Sequence, residues 1–178
     1  MGLASELIFP LVAEDSEFPP VPDRGADPHS DVAAERIAAA PIILLVEDNA
    51  ADVYVIGRVL KQCGVAIDLR VASDGEQALG LLRHFEKHSE QRLPSLILLD
   101  WNLPRASGAE VLVYARQSER LRDVPVVVVT STNSPAEIRQ FVSLGATAHF
   151  SKPTDLDAYL ELKRIVLDVL PKPPRTSS

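Results

Sequence analysis

From Pro41 onward, short apolar runs of strand length alternate with stretches whose apolar residues recur at helical spacing. The runs at residues Ile42–Val46, Ile67–Val71, Ser95–Leu99, Val124–Val129 and Thr147–Phe150 predict five strands. Within them, Leu96-Ile97-Leu98-Leu99 and Val126-Val127-Val128-Val129 do not alternate with polar residues. Unbroken apolar strands suit a parallel sheet covered on both faces, where neither side of the strand meets water. Five helical stretches lie between and after the strands. Ser73 precedes Glu76, Ser107 precedes Glu110, and Ser134 precedes Glu137. Each pair has the spacing at which a serine hydroxyl and a glutamate carboxylate satisfy two free amides at a helix start. Pro135 fits the first helical position, and Asn49 and Thr154 are expected to cap the first and last helices. The last helix is expected to place Leu156, Tyr159, Leu160, Ile165, Val166, Val169 and Leu170 on one face. Strict βα alternation with right-handed crossovers predicts an α/β, doubly wound parallel sheet over residues 41–170.

The two ends read differently. Residues 1–40 contain five prolines, eight acids and two bases, so they hold −6 of the formal −7 charge. They are expected to form an acidic, Pro-rich extension without a core of its own. Its one apolar cluster, Leu7, Ile8, Phe9, Leu11 and Val12, is either part of a mobile tail or docks on the domain or on a second copy. Residues 171–178 read as a tail, with no output domain expected after it. The near-neutral body lacks a basic stripe, which argues against direct nucleic-acid binding. No apolar run is long enough to cross a membrane, and no signal peptide is expected. Cys63 is the single cysteine, so no disulfide framework is expected and the cytoplasm is the expected compartment.

Chemistry concentrates at the carboxyl ends of the strands, where sheets of this kind bind ligands. The first strand runs into Glu47-Asp48, the third into Asp100, the fourth into Thr130-Ser131 and the fifth into Lys152-Pro153. Three carboxylates brought together repel one another and call for a cation. An all-oxygen ligand set selects a hard ion, of which Mg²⁺ is the abundant one. Mg²⁺ beside an aspartate suits phosphoryl transfer, with Asp100 as nucleophile. Thr130 and Lys152 can each pair with a phosphoryl oxygen.

The segments Leu44-Leu45-Val46-Glu47-Asp48-Asn49, Leu98-Leu99-Asp100-Trp101-Asn102-Leu103-Pro104 with Ser107-Gly108, Val128-Val129-Thr130-Ser131 and Lys152-Pro153 together resemble the CheY-like receiver domains of two-component response regulators. Thirty residues separate Asp100 from Thr130 and 22 separate Thr130 from Lys152, which also fits. More narrowly, the stretches EDNAADVYVI and DWNLPRASG, with the polar run His84 to Pro94, resemble stand-alone regulators that partner bacterial phytochromes. The resemblance implies a (βα)5 fold with strand order 2-1-3-4-5. It implies that Asp100 is phosphoacceptor and metal ligand, that Asp48 binds Mg²⁺ directly, Glu47 through water and Asn102 through its backbone carbonyl. It makes Thr130 the switch hydroxyl and Lys152 the phosphate-pairing cation. It also implies a cis peptide between Lys152 and Pro153. Where the family carries Tyr or Phe as a second switch residue, this chain has His149, and the usual aromatic coupling is expected to be weak.

The expected function is that of a single-domain regulator that receives a phosphoryl group from a sensor histidine kinase, with a bacterial phytochrome as the candidate input. No catalysis is expected beyond its own phosphoryl transfer and autodephosphorylation. It would signal in trans to a downstream protein through the face made by the fourth helix, fifth strand and fifth helix. A homodimer through that face or the N-terminal cluster is another route. Two alternatives come from other classes. A haloacid dehalogenase-like phosphatase would share Asp, Thr, Lys and Mg²⁺ but needs an acid where Asn102 stands. A phosphorylation-independent adaptor would carry the acidic pocket as a vestige.

Overall fold

The computed structural model describes residues 9–11 and 40–170. Strands are β1 (Phe9–Leu11), β2 (Ile42–Val46), β3 (Ile67–Ala72), β4 (Leu96–Asp100), β5 (Val126–Thr130) and β6 (Ala148–Ser151). Helices are α1 (Ala50–Lys61), α2 (Gly75–Lys87), α3 (Gly108–Gln117), α4 (Pro135–Ser143) and α5 (Leu160–Val169), the last preceded by a 3-10 turn at Leu156–Tyr159. The sheet order is β1-β3-β2-β4-β5-β6. Its five parallel strands, counted alone along the chain, have the expected order 2-1-3-4-5.

The sheet is nevertheless six-stranded. Residues 9–11 of the extension pair antiparallel with β3, with Pro10 opposite Asp68. An edge strand offers a row of unpaired backbone groups, and a short segment with a proline can occupy it. Residues 9–11 of the N-terminal cluster therefore dock on the domain; the rest of the cluster lies outside the described residues.

Successive residues of each central strand feed opposite cores. On one face Ile43, Leu45, Leu96, Leu98, Val127 and Val129 pack with Ile56 and Leu60 of α1 and Leu162 and Val166 of α5. On the other, Leu44, Val46, Ile97, Leu99, Val126 and Val128 pack with Leu82 and Phe85 of α2, Val111 and Leu112 of α3 and Phe141 of α4. All five residues of β2, β4 and β5 are buried, which is why their sequence does not alternate.

Some helix starts differ from expectation. Asn49 caps α1 by accepting the Ala51 N–H at 2.9 Å, and Ser107 with Glu110 forms a reciprocal capping box on α3. At α2 the cap is Asp74, which accepts the Gln77 N–H at 2.8 Å, while the Gln77 side chain accepts the Ser73 N–H. A carboxylate one residue later displaces the Ser73–Glu76 pair. Ser134 stands at the N-cap of α4 without a side-chain cap bond, ahead of Pro135 at the first helical position. Thr154 does not cap α5, whose N-cap is Tyr159, without a side-chain bond. The intervening 3-10 turn delays the helix, so Tyr159, Leu162, Val166 and Leu170 face inward. Leu160 is left 57% exposed.

Candidate functional site

The strand ends carry the site. Glu47 directly follows β2, Asp100 closes β4, Thr130 closes β5 and Lys152 directly follows β6. Backbone pairing fixes their mutual level. The Glu47 N–H donates to the Ala72 carbonyl at 2.9 Å, and the Lys152 N–H donates to the Thr130 carbonyl at 2.8 Å. Carboxylate oxygens of Glu47, Asp48 and Asp100 all lie within 4.8 Å of one another. Glu47 and Asp100 are buried and Asp48 is exposed.

One ammonium stands against this cluster. Lys152 Nζ donates to Asp100 Oδ2 at 2.7 Å, to Glu47 Oε2 at 2.7 Å and to Asp52 Oδ2 at 2.9 Å. The other oxygens are held by backbone: Asp100 Oδ1 accepts the Asn102 N–H at 3.0 Å, and Glu47 Oε1 accepts the Asn49 N–H at 3.1 Å. Burial and the nearby Asp100 push the Glu47 carboxyl up to about 7, against the pull of Lys152. Burial disfavours the Lys152 charge, but its bonds to Asp100, Glu47 and Asp52 outweigh that and raise its pKa. Among the described residues a single cation stands among four carboxylates, which leaves the pocket net negative and rich in oxygen donors and fits a hard divalent ion.

Thr130 is fully buried, and its Oγ1 accepts the Thr132 N–H at 3.2 Å. Ser131 beside it is exposed. The Lys152–Pro153 peptide is trans, as are all peptides among the described residues, so the expected cis bond is corrected. Trans is the lower-energy isomer of an X–Pro bond. His149 is exposed on β6, with its ring centroid 5.5 Å from Phe141. Phe141 in turn meets Trp101 edge-on at 5.3 Å. Phe150 turns into the core.

The loop after Asp100 is pinned at both ends. A Cβ on Gly108 would lie 2.6 Å from the Asp100 carbonyl oxygen, and one on Gly75 would lie 1.8 Å from the Ala106 carbonyl oxygen. These glycines let α3 and α2 close on the loop.

Sequence reading missed Asp52 as a site residue. It lies in the first turn of α1 and four residues beyond Asp48. Asp48 lies just ahead of the Asn49 cap and Asp52 in the first helical turn, so both acids sit where the chain passes from β2 into α1, and that closeness was the available signal.

Residues 43–163 match the response regulator receiver domain family. The chain is 38% identical over 128 residues to the probable methanogenesis regulatory protein FilR2 of Methanothrix harundinacea, covering 72% of this chain and 80% of that protein. It is 34% identical over 115 residues to the response regulator Rcp1 of Synechocystis, covering 65% and 78%. The crystal structure of Mn²⁺-bound Rcp1 superposes with a TM-score of 0.65 at 30% identity, over 74% of this chain and 99% of that one. The phosphorylated cyanobacterial phytochrome response regulator RcpA gives 0.66 at 28%, over 78% and 97%.

Proposed function

This chain belongs to the response regulator receiver family, and from that premise we propose that Asp100 is its phosphoacceptor and that a sensor histidine kinase of the bacterial phytochrome class supplies the phosphoryl group. The observation that carries the proposal is the buried contact of Lys152 Nζ with Asp100 Oδ2 at 2.7 Å, beside the Glu47–Asp48–Asp100 oxygens. The kinase class is supported by the likeness to Rcp1 and RcpA.

An Asp100 carboxylate oxygen attacks the phosphorus of a phosphohistidine. A P–O bond forms as the P–N bond breaks, and the imidazole nitrogen keeps the electron pair and takes a proton. Glu47, Asp48, Asp100 and the Asn102 backbone carbonyl would hold Mg²⁺, which when bound neutralises charge on the transferring group. Lys152 pairs with a phosphoryl oxygen once the Asp100 oxygen it holds is esterified. The Thr130 hydroxyl turns from its own loop toward the phosphoryl group. That movement carries the β5–α4 loop, and with it the face made by α4, β6 and α5, where His149 leans on Phe141. This face signals in trans to a downstream protein or to a second copy. The chain acts as a signal carrier in the cytoplasm, the kinase's phosphoryl-donating compartment. Asn102 offers no acid for a leaving group, so no observation favours a phosphatase.

Incubation with a phytochrome histidine kinase and labelled ATP tests the assignment. Label is expected on the wild type and absent from Asp100→Asn. Label on another residue of Asp100→Asn overturns the phosphoacceptor, and labelling only by an unrelated kinase overturns the phytochrome input.

A further inference from the structure

Lys152 has three N–H donors, and all three are engaged by carboxylates. Two of those acceptors, Glu47 and Asp100, belong to the cluster able to hold a metal. The third, Asp52, does not. It reaches in from the first turn of α1, with its side chain 24% exposed, whereas Lys152 is 7% exposed. Asp52 is thus the one carboxylate whose grip on the ammonium does not compete with a cation.

Without Asp52, the ammonium would rest wholly on Glu47 Oε2 and Asp100 Oδ2, oxygens of two proposed metal ligands. Cation and ammonium would then contend for the same negative charge. With Asp52 in place, the third N–H of the amine is held at 2.9 Å by a carboxylate outside that cluster, so part of its charge is balanced there. When Asp100 is phosphorylated, its esterified oxygen loses charge and releases one Lys152 N–H. Asp52 and Glu47 still hold the amine while that N–H turns to a phosphoryl oxygen.

We infer that Asp52 is a positioning residue that tethers Lys152, keeping its ammonium within reach of Asp100 while leaving the Glu47–Asp48–Asp100 cluster free to bind a divalent cation. The inference rests on the proposed metal-binding reading of that cluster.

The single tryptophan, Trp101, adjoins Asp100 and reports on the site. Its fluorescence, titrated with Mg²⁺ alone in the full chain, gives the affinity. Asp52→Ala removes charge and acceptor and is expected to weaken Mg²⁺ binding about fivefold. Asp52→Asn keeps an oxygen for Lys152 and is expected to weaken it only about twofold. In metal-free protein, the ¹⁵N-labelled Lys152 ammonium is expected to exchange its protons slowly in the wild type, faster in Asp52→Asn and fastest in Asp52→Ala. Equal effects of Asn and Ala in both measurements would reduce Asp52 to a background charge and overturn the tether. So would unchanged affinity and exchange. If the wild type binds no Mg²⁺, the metal-binding reading falls and takes the inference with it. If the wild type binds Mg²⁺ and the variants match it, only the inference falls.

Discussion

Lys152 is the residue on which the pocket's charge balance turns. Its side chain and that of Glu47 are buried, at 7% and 0% exposure, so removing the ammonium leaves Glu47 and Asp100 facing each other without compensation. Breaking a buried ionic group costs about 3 kcal/mol, because the remaining charge stays desolvated. Lys152→Met is therefore expected to lower the melting temperature strongly in EDTA and to recover much of the loss in Mg²⁺. A loss of equal size in both buffers would argue against a shared carboxylate site for the two cations. Cys63 shows the opposite behaviour of a lone group. Burial raises its thiol pKa, and its Sγ donates to the Val59 carbonyl at 3.7 Å. It is expected to react with a thiol reagent at pH 7 more slowly than free cysteine, measured by absorbance.

At the scale of elements, the start of α3 both ends the phosphoacceptor loop and closes on it. The Ser107 N–H and hydroxyl donate to Glu110 Oε2, each at 2.8 Å, and the Ser107 oxygen accepts the Glu110 N–H at 3.3 Å. Loss of such a cap costs about 1 kcal/mol, so Ser107→Ala is expected to lower the denaturant midpoint accordingly. The bonds from Ser107 hold the Glu110 carboxyl below its ordinary value of 4.5. Its folded pKa is depressed, so its contribution is present above that ordinary value and is lost as pH falls through the lower folded value. Ser107→Ala removes the hydroxyl donor but keeps the backbone N–H, the larger cause of the shift, so it should flatten the acid limb of the stability profile only in part, read by chemical denaturation from pH 6 downward. At the neighbouring contact, Gly108→Ala would push a methyl against the Asp100 carbonyl oxygen and the Trp101 backbone. Backbone on both sides cannot yield like a side chain, so the variant is expected to shift Trp101 emission and lower stability together. Unchanged emission would mean that α3 moves instead of the loop.

For the whole molecule, the antiparallel β1 covers the outer edge of β3 and joins part of the N-terminal extension to the sheet. A chain lacking residues 1–39 uncovers that edge, and light scattering is expected to show more self-association than in the full chain. Equal scattering would mean that the edge is protected without β1. The parallel sheet and its two cores were legible because each depends on local order along the chain: an unbroken apolar strand, a capping residue and a periodic helix face. The corresponding strand-end acids, Thr130 and Lys152 could be placed at one rim because parallel strands all run the same way, so their carboxyl ends lie along the same edge of the sheet. The start of α5 was misplaced because the 3-10 turn before it rotates the helix face. Asp74 displaced Ser73 because two adjacent residues offered caps and the local backbone selects one. What the sequence by itself determined was therefore the layered architecture and which side chains share its functional edge. Only the tertiary structure decided that Asp52 takes the third Lys152 donor, that Phe141 bridges Trp101 and His149, and that residues 9–11 complete the sheet. Those contacts join segments far apart in the chain or on different elements, and their partners are chosen by packing distance and donor geometry, which no local pattern encodes.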